Sequence, residues 1–301
     1  MAKVSSIILA GGESKRFGEN KAFINFNGKT FLERAVETAL KLKGDTVISA
    51  RDEENAKHYI NELKKKLNVN LPVIIDDKKC GFVGPLRGIY SCIKSLKGKH
   101  VLVMECDAPL FNYSVANELI EKMEKEKVNA VIPLWPNSTI EPLLAVYNIK
   151  KTAAILDLLN DYALNLSKNF PFNDSVNISR FLSSVYYYNI LDIIKKKRDL
   201  KIEFFMNINS KDDMQNYLEG KINIDRKKYV KSTKIRKANK FFNIKNPSGK
   251  PVGILANALY NWWIYSKTGN YIYLKKSYAY FKKDGDKYYN SGLDFMGRKL
   301  I

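Results

Sequence analysis

The segment Leu9-Ala10-Gly11-Gly12-Glu13-Ser14-Lys15-Arg16-Phe17-Gly18-Glu19-Asn20-Lys21 joins a short apolar run to paired glycines and two spaced cations. Glycine backbone N–H groups can close on phosphate oxygens because no Cβ intervenes. Arg16 and Lys21 would supply the positive charge that a triphosphate requires. Two commoner phosphate loops are excluded: five residues separate Gly12 from Gly18, Glu19 stands where a P-loop lysine belongs, and no GxGxxG pattern is present. A strand-to-helix turn with solvated charges is the plainer reading. Gly-Gly followed by Arg16 and Lys21 directly after a strand favours phosphate binding over it.

Carboxylates follow two further apolar runs. Asp107 ends Val101-Leu102-Val103-Met104-Glu105-Cys106-Asp107-Ala108-Pro109, where Pro109 stops extension. Ligands of open α/β sheets bind outside the carboxyl ends of the strands, so Asp107 should face the crevice of the glycine loop. Mg²⁺ needs only one or two carboxylates beside phosphate oxygens and water, which makes Asp107 a candidate metal ligand; a helix cap is the alternative. Asp77 follows the run Pro72–Ile75 and reaches the same edge, with Asp76 as its rival, and Gly84-Pro85-Leu86-Arg87-Gly88 begins seven residues later. Asn207 and Asn209 alternate on one face of a short expected strand, Phe204–Ile208, able to hydrogen-bond a phosphate. Capping of the next helix by Asn209 or Ser210 competes with that role.

These residues need a scaffold of alternating strands and helices. Strands are expected at Val4–Ala10, Thr46–Ser49, Pro72–Ile75, Val101–Cys106, Ala130–Leu134 and Pro142–Tyr147. Helices are expected at Glu53–Leu67, Leu86–Leu96, Ser114–Glu126, Thr152–Tyr162, Ser179–Ser184 and Ser210–Leu218. Another should start at Thr30, with Glu33 completing a capping box. The βαβα order predicts a doubly wound α/β fold with a mostly parallel, Rossmann-like sheet.

The glycine segment resembles the signature of the nucleotidyltransferase superfamily that includes the molybdenum cofactor guanylyltransferases (MobA-like). The shared pattern stands here as Leu9-Ala10-Gly11-Gly12, Arg16-Phe17-Gly18 and Lys21. Cys106-Asp107-Ala108-Pro109 is similar to the family's magnesium-binding element, and Asp77 with Gly-Pro-Leu-Arg-Gly is similar to its nucleotide-contacting one. The resemblance implies nucleotide contacts from Leu9, Ala10, Gly11, Gly12, Lys21, Asp77, Gly84, Gly88 and Asp107. Catalysis would fall to Lys21, Arg16 and Asp107, with Mg²⁺ on Asp107. Asn207-Ile208-Asn209 resembles the element near the acceptor pocket, and Glu141 begins a segment similar to the strand after the family's variable loop. The implied substrates are GTP and molybdopterin. One departure is plain: where many relatives carry an Asn near the base, this chain reads Ser49-Ala50-Arg51. A cytidylyl- or sugar-nucleotidyltransferase is the alternative within the same fold.

Residues 1–220 are taken as one domain, of which the resemblance covers about 4–220, with a second domain at 221–301. Residues 222–301 hold 18 Lys or Arg against 4 Asp and no Glu, most of the net charge of +20 of the 301-residue chain. Lysines there interleave with aromatics, including Trp262-Trp263, and Tyr271, Tyr273, Tyr278 and Tyr280 alternate as in a strand. A small β-containing domain is expected, with solvated lysines or an anionic partner; nucleic-acid binding through it is a further alternative. Three separated cysteines exclude a disulfide framework and a CxxC metal pair. No membrane-spanning run is present, and the first apolar run is too short for a signal peptide, so a cytoplasmic monomer or small homo-oligomer is expected.

Overall fold

The computed structural model describes residues 3–12, 18, 20–135, 139–165, 178, 182, 184–196, 199–219, 261, 268, 270–273, 275, 276 and 279. Nine strands are found among them: β1 (Val4–Leu9), β2 (Asn25–Phe26), β3 (Lys29–Thr30), β4 (Lys43–Ala50), β5 (Val73–Ile75), β6 (His100–Glu105), β7 (Ala130–Leu134), β8 (Leu144–Asn148) and β9 (Val185–Asn189). The helices are α1 (Phe31–Leu40), α2 (Glu53–Leu67), α3 (Gly84–Ile93), α4 (Tyr113–Glu126), α5 (Ile149–Asn165), α6 (Ile190–Lys196) and α7 (Lys211–Leu218). Seven strands form one sheet in the order β5-β4-β1-β6-β8-β7-β9. β5, β4, β1 and β6 run parallel; β8 runs antiparallel to both β6 and β7, and β9 pairs parallel with β7. The doubly wound, mostly parallel α/β architecture is therefore present.

Period-two alternation explains why both faces are covered. Val4 and Ile8, Leu102 and Met104, and Leu144 and Val146 enter a core shared with α1, α2, α4 and α6. Ile7 and Leu9, Val101 and Val103, and Ala145 and Tyr147 pack instead beneath α3 and α5. Central strands buried on two faces read as apolar runs, as Ile7–Leu9 of β1 and Val101–Met104 of β6 do in the sequence.

Local chemistry sets several boundaries. Thr30 Oγ1 accepts from Glu33 N at 3.2 Å while Thr30 N donates to Glu33 Oε2 at 2.6 Å, the reciprocal capping box at the start of α1. Asp52 Oδ1 accepts from Asn55 N at 2.9 Å at the start of α2, and Asn68 closes that helix in the left-handed region. The hairpin β2–β3 turns at Asn27-Gly28, both with positive φ, a connection whose twist suits paired strands.

Two expectations need correction. Phe204–Ile208 is not a strand: Ile202–Phe205 forms a 3₁₀ turn, with Phe205 buried against Phe111, and the chain then runs extended. Among the described residues the last strand is β9, whose Val185 and Tyr188 are buried while the tyrosines between them are not. Tyr271 and Tyr273 lie in helical rather than extended backbone, because Asn270 accepts at Oδ1 from Ile272 N at 3.0 Å and starts a turn. Tyr278, Tyr280, the boundary near residue 220, most of Ser179–Ser184 and the greater part of 221–301 fall outside the described residues. No helix among the described residues is long and apolar enough to cross a membrane.

Thr30→Ala removes one half of a buried capping box. Urea denaturation of the full chain should show a loss of about 1 kcal/mol; an unchanged midpoint would mean that α1 is held by packing alone.

Candidate active site

The register of four parallel strands aligns the site. Leu9 pairs with Ser49 on one side and Glu105 on the other, and Ser49 pairs with Ile74. Two residues further along each chain stand Gly11, Arg51, Asp107 and Asp76, so loops from four strands meet at one sheet edge. Pairing continues past the strand ends: Ala10 N donates to Ser49 O at 3.2 Å, Cys106 N to Leu9 O at 3.1 Å and Asp76 N to Ala50 O at 2.8 Å. The result is a cleft of about 660 Å³. That volume falls within the range of small-molecule sites, about 300–1,000 Å³.

Both ends of the glycine loop are pinned to α2. Buried Tyr59 donates from its hydroxyl to Ala10 O at 2.7 Å and accepts from Asn20 Nδ2 at 3.1 Å. Asn20 Nδ2 also donates to Asn55 Oδ1 at 2.6 Å, and Asn20 Oδ1 accepts from Ala22 N to cap the 3₁₀ turn Lys21–Phe23. Burial holds the Tyr59 phenol well above its ordinary range, so it stays a neutral donor. Lys21 is thereby delivered to the cleft, where its Nζ donates to Asp107 Oδ2 at 2.9 Å and Asn209 Oδ1 at 2.8 Å. Side chains of Lys21 and Asp107 are each 17% exposed, so a substrate can reach a pair that is otherwise largely shielded.

Two glycines act by close approach. A Cβ at Gly11 would stand 3.1 Å from Asp76 Oδ2 and 3.3 Å from Arg51 N. A Cβ at Gly88 would overlap Ser49 Oγ and press on Leu9 Cδ2. The first turn of α3 reaches the cleft through Gly84, Pro85, Arg87 and Gly88. Val83 makes no side-chain cap hydrogen bond to that turn.

Of the residues singled out in the sequence, Leu9, Ala10, Gly11, Gly12, Lys21, Gly84, Gly88, Asp107 and Asn209 line this cleft. Arg16 lies outside the described residues. Asp77 does not line it. Its N–H donates to Ser91 Oγ at 2.8 Å and its Oδ1 accepts from Lys79 N at 2.8 Å, which turn the residue outward. Asp76, one residue earlier, takes the cleft position, with Oδ1 accepting from Ser49 Oγ at 2.6 Å. Desolvation raises the Asp76 carboxyl above its ordinary value, opposed by the Ser49 hydrogen bond and the Arg87 charge. Asn207 also departs from expectation: with the strand replaced by a 3₁₀ turn, its Nδ2 donates to Glu105 Oε1 at 2.5 Å, behind the cleft lining. Asn209 caps nothing, since Ser210 is the N-cap of α7. Glu141 accepts from Trp135 Nε1 and is not among the lining residues.

Ser49, Arg51, Asp76, Arg87, Glu105 and Cys106 complete the wall. Glu105 stands two residues before Asp107, and that period was the one sequence signal pointing to it. Burial, then the neighbouring Asp107 charge, push its carboxyl up to about 8, so it carries a proton at neutral pH.

A mostly parallel sheet with a cleft at the carboxyl edge of its parallel strands, walled by a glycine loop and a lysine–aspartate pair, defines a nucleotide-handling α/β transferase. The model of the MobA-like NTP transferase domain matches residues 6–167. The chain belongs to that family. A protein of Bacillus velezensis named "Probable molybdenum cofactor guanylyltransferase" is 33% identical over 208 residues, covering 69% of this chain and 91% of that one. One of the same name from a Geobacillus strain is 35% identical over 159 residues, covering 53% and 77%. The crystal structure of molybdopterin-guanine dinucleotide biosynthesis protein A from Archaeoglobus fulgidus matches with a TM-score of 0.54 at 25% identity, covering 73% of this chain and all of that one.

Because folded Glu105 keeps a proton that the unfolded chain releases near 4.5, stability should fall as pH rises from about 4.5 to about 8. In Glu105→Gln that part of the slope should vanish, and the variant should be the more stable protein at pH 9. Denaturation midpoints across this window test the assignment; parallel curves for the two proteins would refute it.

Proposed function

We propose that the chain transfers GMP from GTP to the terminal phosphate of molybdopterin, releasing pyrophosphate. The observation that carries the reading is Lys21 Nζ shared between Asp107 Oδ2 and Asn209 Oδ1 beneath the glycine loop, in a chain of the MobA-like family. A phosphate oxygen of the acceptor attacks the α-phosphorus of GTP; the new P–O bond forms as the bond to the β-phosphate breaks, and the electron pair leaves with pyrophosphate. A phosphate monoester is mostly ionised at neutral pH, its second pKa being about 6, so no histidine base is required. Positioning and charge neutralisation account for most of such catalysis.

The residues divide that work. Backbone N–H groups near Gly11 and Gly12 close on the phosphates, and Lys21 brings a positive charge to the oxygens that accumulate negative charge. Asn209 holds Lys21 from the acceptor side, and the neutral Glu105 limits like-charge repulsion at Asp107. Asp107 suits a divalent cation: its Oδ1 is buried and has no hydrogen-bond partner among the described residues, while Oδ2 already holds a cation. No group of three or more His, Cys, Asp or Glu side chains among the described residues could hold a metal alone. Mg²⁺ needs fewer protein ligands, because it completes its shell with substrate phosphates and water. When bound, Mg²⁺ would neutralise charge on the polyphosphate, with Asp107 as its protein ligand.

Asp107→Ala should abolish dinucleotide formation while the denaturation midpoint stays close to wild type; unchanged turnover would remove Asp107 from the mechanism. Product masses with each of the four NTPs and molybdopterin test the reaction itself. A cytidylyl product, or none with molybdopterin, would favour the alternative transferases. Lys21→Met should lower kcat by about 10²–10³, the scale of losing one charge-stabilising donor.

A further inference from the structure

One face of α2 carries the polar groups that fasten the glycine loop. Asp52, Asn55 and Tyr59 recur at helical spacing, the first as N-cap, so they lie along a single stripe at the start of that helix. Asp52 Oδ1 accepts from Asn55 N at 2.9 Å and from Asn55 Nδ2 at 2.7 Å. With its amide nitrogen so held, Asn55 presents Oδ1 to Asn20 Nδ2 at 2.6 Å. Asp52 Oδ2 accepts from Arg51 Nε at 3.1 Å, so the stripe begins at the cleft wall itself.

Tyr59 stands at the inner end of the stripe. Its side chain is fully buried, and its ring lies 5.5 Å from that of Phe23. The hydroxyl is used twice, donating to Ala10 O and accepting from Asn20 Nδ2. Ala10 directly precedes the paired glycines, and Asn20 directly precedes Lys21. One phenol oxygen therefore ties the N–H groups that would close on phosphate to the base of the side chain that would neutralise it. Asp52, Asn55 and Tyr59 are all absent from the cleft lining.

Such bonds bear on rate through geometry. A lysine ammonium rides on a flexible four-carbon stem, so it can meet a phosphate oxygen from many places. Ground-state binding tolerates that spread, whereas the transition state rewards one placement. We infer that Tyr59 and Asn55 are positioning residues for nucleotidyl transfer: they touch no substrate and set kcat by holding Lys21 against the glycine loop. The inference rests on the nucleotidyl-transfer reading and extends it to a helix behind the cleft. Because the device holds one end of the loop relative to the other, it has nothing to position once the lysine is gone.

Steady-state pyrophosphate release by the full chain, with the NTP and acceptor that wild type turns over, gives the test. Tyr59→Phe keeps the ring in the core and removes both bonds of the hydroxyl. Its kcat should fall roughly ten- to a hundredfold, the scale of a small misplacement near reacting atoms, with KM for the NTP changed less than about threefold. Asn55→Ala, which loses only the bond to Asn20 on that side, should show a smaller fall in kcat. In a Lys21→Met background Tyr59→Phe should lower kcat by no more than about twofold, since residues that act as a unit are not additive. Tyr147→Phe controls for stability: Tyr147 is also fully buried, in the opposite core, and its hydroxyl donates to Pro142 O at 2.6 Å. Its kcat should stay at the wild-type value. Unchanged kcat in Tyr59→Phe, a full loss in the Lys21→Met background, or an equal loss in Tyr147→Phe overturns the inference and leaves nucleotidyl transfer standing. Absence of pyrophosphate release by wild type with every NTP would bring down both.

Discussion

Everything at the cleft depends on the register of β1 between its two parallel neighbours. Leu9 stands opposite Ser49 and Glu105, and Ser49 opposite Ile74, so four chains leave the sheet at the same height. Parallel strands in one register present side chains of a row to the same face, and a slip of one residue would send each to the other. Here a slip of β1 would carry Gly11 out of line with Arg51 and Asp107 and drive Ile7 into the wrong core. Burial of β1 on both faces is what makes that slip costly: Ile7 and Ile8 are both fully buried, on opposite sides.

On this frame the protein keeps charge where burial alone would discourage it. Lys21 and Asp107 are largely shielded yet paired, and a hydrogen-bonded pair can be kept only where its geometry is good. Asn209 supplies the additional hydrogen bond, and backbone contact of Ile208 N with Asp107 O at 2.8 Å ties the same segment to β6. Glu105 retains its proton and so avoids a second negative charge beside Asp107. The arrangement is one in which an incoming polyphosphate meets a lysine already oriented, and the reorganisation left to the chemical step is small.

Much of the scaffold was legible because its signals are local. The apolar runs of β1, β6 and β7, the Thr30–Glu33 capping box and the extent of α2 all follow from residue type and spacing. Phe204–Ile208 misled because alternation over so few residues does not distinguish a strand from a 3₁₀ turn buried through Phe205. Tyr271 and Tyr273 misled likewise, since their spacing ignored the capping capacity of Asn270. Tyr59, which fastens both ends of the glycine loop, gave no local sign: as one apolar position of α2, its hydroxyl partners lie 39 and 49 residues away in the chain.

Sequence alone determined which chemistry this protein could perform. Paired glycines after a strand, a spaced lysine and an aspartate at a strand end are requirements of backbone and charge, and they hold wherever the segments lie. Only the tertiary structure decided which carboxylate enters the cleft. Asp76 and Asp77 are chemically identical neighbours, and the choice between them belongs to Ser49, Ser91 and the turn at Lys79. Asn207 and Asn209 were divided in the same way, one by Glu105 and the other by Lys21. Partners so far apart in the chain meet only after the sheet is assembled, so no spacing rule along the sequence could have separated them.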